Sequence, residues 1–78
     1  MAKILAALQE KPRTATELLI MTGLSKGVLY SHLKRLLRKG WIEKVYENGK
    51  ILIKINKNIS EQDQDKIKAL IIKWKLKN

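Results

Sequence analysis

Between Ser25 and Gly40, Leu29, Leu33, Leu36 and Leu37 return with the period of a helix, while Gly27, Ser31, Lys34, Arg35 and Arg38 fall on the opposite side. One face of this segment is built to pack, and the other is basic and open. Ser25 is placed to cap the start, and Gly40 stands where a helix end needs a left-handed residue. The pattern therefore predicts a helix from Lys26 to about Lys39. The period then shortens to that of strands. Asn48-Gly49 is a strong signal for a two-residue turn, and a hairpin closed there spans 41–55. It pairs Glu47 with Lys50, Val45 with Leu52 and Glu43 with Lys54 on one face. On the other face it pairs Tyr46 with Ile51, Lys44 with Ile53 and Ile42 with Ile55. The second face carries most of the bulky apolar groups and is expected to meet the helices.

Weaker signals frame this unit. Ile4, Leu5 and Leu8 make a short stripe on a first helix, about Ala2 to Glu10, which ends because Pro12 drives Lys11 out of the helical region. Thr14 with Glu17 reads as a capping box, so a second helix starts near Ala15 and stops at Gly23. Two helices across a short glycine turn make a helix-turn-helix. Near the C-terminal end, Ser60 with Asp63 reads as another capping box, and acids give way to lysines in the order the helix dipole favours. That last helix, 60–77, carries one stripe of Ile67, Leu70, Ile71 and Trp74 and a second of Ala69, Ile72 and Leu76 on nearly the opposite side. A helix apolar on two sides needs two partners. The first stripe is expected to cover the core, and the second to meet the same helix of another subunit; the alternative is a single wide helix face turned to the core.

The fold class expected is mostly α with a small β-hairpin (α+β): a winged helix-turn-helix with a three-helix core, a wing and a C-terminal helix. It is read as a single domain over 1–78, with the helix-turn-helix and wing at 14–55. A domain of this size buries a modest share of its surface, so oligomerisation is the expected reinforcement.

Charge gives this architecture a purpose. Seventeen Lys plus Arg against seven Asp plus Glu leave +10 on 78 residues, a surface that calls for a polyanion. The apolar run Leu18-Leu19-Ile20-Met21 falls far short of the roughly 20 residues that span a bilayer, so no membrane role is expected. Lys3 followed by Gln9 and Glu10 does not build a secretory leader, and a cytoplasmic, nucleoid-associated protein is expected. With no cysteine and one histidine, His32, neither disulfides nor a metal cluster is expected. No nucleophile with an adjacent base, carboxylate pair or phosphate loop is apparent, so the reading is of a protein that is not an enzyme and takes no cofactor.

Four segments carry a family resemblance: Thr14-Ala15-Thr16-Glu17-Leu18, Gly23-Leu24-Ser25-Lys26, His32-Leu33-Lys34-Arg35-Leu36 and Lys39-Gly40-Trp41-Ile42-Glu43. The chain resembles MarR-like and ArsR-like transcriptional regulators over roughly Thr14 to Ile55, and its overall build is similar to short winged-helix proteins of archaeal plasmids and viruses. The resemblance implies that the helix from Lys26 enters the major groove and the hairpin reaches the minor groove or the backbone. By position, Lys26, Gly27, Val28, Tyr30, Ser31 and Lys34 would then face bases. The chain departs from the family in lacking the cysteines that arsenic-type sensors carry on this helix. It also has Gly27 and Val28 where small hydroxyl residues are usual, which thins base readout but leaves Val28 able to touch a thymine methyl.

Arg35 and Arg38, with wing residues Lys44, Asn48 and Lys50, are the expected phosphate contacts, and Ala69, Ile72 and Leu76 the expected dimer interface. His32 is read as structural or phosphate-contacting, Tyr30 as either a base contact or edge packing, and Trp41 and Trp74 as anchors of the core or dimer seam. Ile20 and Met21 occupy places that are usually charged, and are expected to lie beneath the terminal helices or a partner. The leading expectation is a homodimeric, sequence-specific repressor of transcription that binds double-stranded DNA. A sequence-tolerant DNA-coating protein and a protein-binding winged helix in a larger assembly are the alternatives.

Overall fold

A computed structural model describes residues 1–77, so the last residue of the expected 1–78 domain lies outside the described residues. The elements run α1 (Ala2–Glu10), α2 (Ala15–Thr22), α3 (Lys26–Lys39), β1 (Ile42–Glu47), β2 (Lys50–Ile55) and α4 (Glu61–Lys77). This is the α+β winged helix-turn-helix expected from the pattern.

Local chemistry sets most boundaries. Lys11, ahead of Pro12, is extended at φ −169° and ψ 164°, which ends α1. Thr14 Oγ1 accepts from the Glu17 N–H at 3.2 Å, and the Glu17 carboxylate accepts from the Thr14 N–H at 3.0 Å, completing the box that opens α2. Hydrogen bonding to its carboxylate, from the Thr14 N–H first and then from the Thr14 side chain, holds the Glu17 carboxyl below its ordinary pKa. At the far end of α3, Gly40 takes φ +75°, its N–H reaches the Leu37 carbonyl at 3.0 Å, and the Trp41 N–H reaches the Leu36 carbonyl at 3.1 Å. These are the two bonds of a Schellman stop, and the left-handed φ is why glycine stands there. Asn48 and Gly49 both have positive φ, +51° and +76°, as the primed two-residue turn requires. The strands pair in the expected register from Ile42↔Ile55 to Glu47↔Lys50.

Leu5 and Ile4 of α1, Leu18 of α2, and Leu29 and Leu36 of α3 are fully buried; Trp41, Ile42, Ile53, Ile67 and Ile71 complete the core around them. The hairpin packs on α2 and α3, α1 packs on α2 and β2, and α4 lies outermost against α1.

The structure amends the sequence reading in three places. The apolar face of the hairpin meets the helices only at its inner end: Ile42 and Ile53 are buried, but Tyr46 is 78% exposed and Ile51 48% exposed. The core simply does not extend that far along the strands. Secondly, Arg13 adds a one-residue third strand, exchanging both backbone hydrogen bonds with Ile53 at 2.9 and 2.7 Å. Thirdly, Ser60 Oγ caps the Asp63 N–H at 3.2 Å, while the side chain that reaches back is Gln64, to the Ile59 carbonyl at 3.2 Å, in place of the Asp63 carboxylate.

Candidate nucleic-acid interface

The helix α3 buries Leu29, Leu33 and Leu36 and turns its other side to solvent, so that Lys26, Gly27, Val28, Tyr30, Ser31, Lys34, Arg35 and Arg38 are all exposed. Ser25 Oγ accepts from the Val28 N–H at 3.3 Å and fixes the first turn, where the proposed base readers begin. From Lys26 to Arg38 this face extends about 18 Å along the axis, at 1.5 Å per residue, the scale of a major-groove contact. Among the described residues the ion pairs lie elsewhere, Arg13 with Glu10 at 2.8 Å and Lys54 with Glu43 at 3.8 Å, so the cations of this face keep their charge for an external anion.

Three ties hold the wing at a set angle to α3. The Arg13–Ile53 exchange grips β2 from the side. The Asn56 N–H donates to the Trp41 carbonyl at 2.9 Å, and Asn56 Nδ2 donates to the Gly40 carbonyl at 3.1 Å, binding the end of β2 to the corner where α3 becomes β1. The Lys39 ammonium lies 4.8 Å from the centre of the Trp41 ring, which is itself buried. Between helix and wing lies an open cleft of about 500 Å³, lined by Tyr30, Leu33 and Lys34 of α3 and Lys44, Ile51 and Ile53 of the wing. Tyr30, Lys34 and Lys44, read from sequence as DNA contacts, thus share one cleft. Asn48 and Lys50 stand exposed at the tip, and Lys26 and Gly27 at the start of the helix.

His32 is partly turned into the fold. Its Nδ1 is buried without a hydrogen-bond partner, and desolvation, followed by the nearby Met1 α-amino group and Arg35, pushes its pKa below the ordinary imidazole value. A neutral, packed imidazole fits the structural alternative better than a charged phosphate contact. Tyr30 is 47% exposed, so it is partly packed and partly open to solvent. Trp41 is a core anchor and Trp74 is half-buried on α4. The stripe of Ala69, Ile72 and Leu76 is exposed along α4, while Ile67 and Ile71 on its other side are buried. The outer helices leave Ile20 78% exposed; Met21, half-exposed, borders a hollow shared with Lys3, Ala6 and Trp74.

Arg13 escaped the sequence reading altogether. Its side chain, 11% exposed, donates to Glu10 at 2.8 Å and through Nε to the Ala7 carbonyl at 3.3 Å, joining α1 to the wing. The available signal was the stretch Pro12 leaves extended before the Thr14 cap, too short to show an alternating pattern.

A basic, exposed second helix of a helix-turn-helix, with a wing held across a cleft beside it, defines the winged helix-turn-helix class of DNA-binding regulators. The sequence model described as bacterial regulatory protein, arsR family, matches residues 1–44, more than half of the chain, and the chain belongs to that family. It is accordingly a DNA-binding transcription regulator of a non-enzymatic family that binds double-stranded DNA. The match takes in α1, which the resemblance read from sequence left unassigned, and ends within β1. No curated protein and no solved structure matches the chain.

Arsenic-type sensing by thiolate ligation does not fit these residues. The chain has no cysteine, and among the described residues no three His, Asp or Glu side chains converge. No helix of the described residues is long and apolar enough to cross a membrane.

Proposed function

We propose that the chain is a homodimeric, site-specific repressor whose residues 1–78 act as one winged-helix domain. In this reading α3 lies in the major groove, with Lys26, Gly27, Val28, Tyr30, Ser31 and Lys34 toward base edges. Arg35, Arg38, Lys44, Asn48 and Lys50 hold phosphates on either side. Phosphate contacts set register and affinity, and the base-facing residues set sequence preference. The observation that carries the reading is the continuous exposed face of α3, whose cations have no ion-pair partner among the described residues.

Dimerisation is proposed through Ala69, Ile72 and Leu76, because Ile72 and Leu76 are 58% and 83% exposed on a helix already buried along its other side. Burying such a stripe against its symmetry mate offsets its exposure to water. Sedimentation at micromolar concentration is expected to show a dimer that Ile72→Asp dissociates; a monomeric wild type overturns this part.

Selection from a random duplex pool at near-physiological salt tests the whole reading. Enrichment of an inverted repeat with half-sites about 10 base pairs apart, one helical turn, is the expected result. Gly27 and Val28 favour a second reading, a sequence-tolerant coating protein, since neither donates a side-chain hydrogen bond to a base. Retention of DNA without enrichment is the result that selects it. The exposed Ile20 favours a third reading, a protein-binding winged helix, which failure to retain DNA selects.

A further inference from the structure

The outer part of the wing displays an apolar surface that nothing in the fold uses. Tyr46 and Ile51 are directly paired across β1 and β2, and both are exposed, at 78% and 48%. They share a face with Ile53, which is buried, but stand two residues, about 7 Å, farther out along the strands, beyond the reach of the core. Ile51 lines the same cleft as Tyr30 and Lys34, so this face of the wing is turned toward the exposed side of α3. Lys44 precedes the pair on the same face, and Asn48 and Lys50 follow at the turn. No arginine is present on the wing to read a narrow minor groove electrostatically.

We propose that the wing bends the DNA it binds by pressing Tyr46 and Ile51, as an apolar wedge, into the minor groove beside the site held by α3. This rests on the DNA-binding reading and adds an activity to it. Lys44 on the same face, with Lys50 beside the turn on the opposite face, sets positive charge next to the apolar pair and complements a groove whose walls are anionic and whose floor is stacked bases. The primed turn and the Arg13–Ile53 bridge hold the hairpin rigid before binding, so little ordering cost is added when it engages. A two-stranded ribbon is wider than a relaxed minor groove of about 6 Å, so seating it face-down requires the groove to open. Opening the groove tilts the duplex toward the major groove. A second copy or a protein partner on the same pair is the competing occupant.

The test uses the full chain and an end-labelled duplex of about 30 base pairs, read by resonance energy transfer at saturating protein. The duplex carries the selected site, or a random sequence if selection yields none. The wild-type complex is expected to show a bend within the roughly 20–90° range of minor-groove wedges. The double variant Tyr46→Ala/Ile51→Thr is expected to lose at least half of that angle while still forming a complex, with about tenfold weaker affinity, whereas Tyr46→Phe keeps the bend. The exposure of both residues and the β-branch retained at 51 protect the fold, which melting of the free variants checks. A straight wild-type complex, or an equal bend in the double variant, overturns the wedge and leaves the DNA-binding reading standing. A straight wild-type complex accompanied by protein self-association that the double variant abolishes assigns the pair to a second copy instead. Failure to form a complex with any duplex overturns both readings.

Discussion

Gly27→Ala separates what is good for the fold from what is good for binding DNA. Gly27 is the second residue of α3, in helical conformation, and a Cβ built on it meets nothing within 4 Å. The free protein therefore accepts the methyl group without strain. Alanine is favoured over glycine in a helix interior by about 0.5–1 kcal/mol, and a first-turn position takes the lower end, about 0.5 kcal/mol. For a domain of this size that is a rise of about 2–4 °C in melting temperature. In the proposed complex the same methyl group would occupy the space through which the helix approaches the base edges. Affinity is expected to fall about tenfold, equivalent to about 1.4 kcal/mol. Thermal denaturation of the free protein and fluorescence anisotropy on one duplex at fixed salt read the two effects separately. Opposite signs support a helix start seated in the groove. Unchanged or tighter DNA binding in the stabilised variant would refute that placement, and a lower melting temperature would refute the open geometry at Gly27.

Three further outcomes are expected. Lys50→Ala weakens binding to all sequences alike and flattens the log–log salt dependence by about one unit per lost contact, about two for both subunits, from a slope near −7 for a dimer neutralising about 8 phosphates, whereas Ser31→Ala shifts relative site preference. Titration of affinity against salt and repeated selection distinguish them, and an unaltered preference in Ser31→Ala overturns the assigned register of α3. Arg13→Met removes the bonds to Glu10 and the Ala7 carbonyl and is expected to cost about 1 kcal/mol, discounted because Glu10 is largely exposed; the urea midpoint measures it, and no change removes Arg13 from the set of wing anchors. The lowered pKa of His32 means that the unfolded chain binds more protons than the folded one in mild acid. Its contribution is fully present above the unfolded value of about 6.5 and is lost as pH falls from there toward the folded value. Urea midpoints measured from about pH 7 to pH 5 should decline in the wild type and flatten in His32→Gln; equal slopes count against burial of the imidazole.

Much of this architecture is legible in the residues because its causes are local. The α2 capping box, the left-handed glycines at 23 and 40, the Asn48-Gly49 turn and the hairpin register each depend on a few neighbouring side chains and on the conformations their backbones tolerate. The division of α3 into leucines and cations likewise follows from helical periodicity, and it marked the open basic face in advance. Tertiary structure decided how far each pattern extends. Period-two alternation puts Ile53 and Ile51 on one face, yet only packing makes the first core and the second surface. The same holds along α4, where two apolar stripes look alike in sequence and burial falls on Ile67 and Ile71 because that side meets α1. The bridge from Arg13 to Ile53 joins residues forty positions apart through two backbone hydrogen bonds, and no side-chain pattern encodes such a contact. Sequence by itself specified the elements, their faces and the sign of the charge they present. Only the fold, by bringing distant segments together, decided which faces are spent on the core and which remain for DNA or a partner.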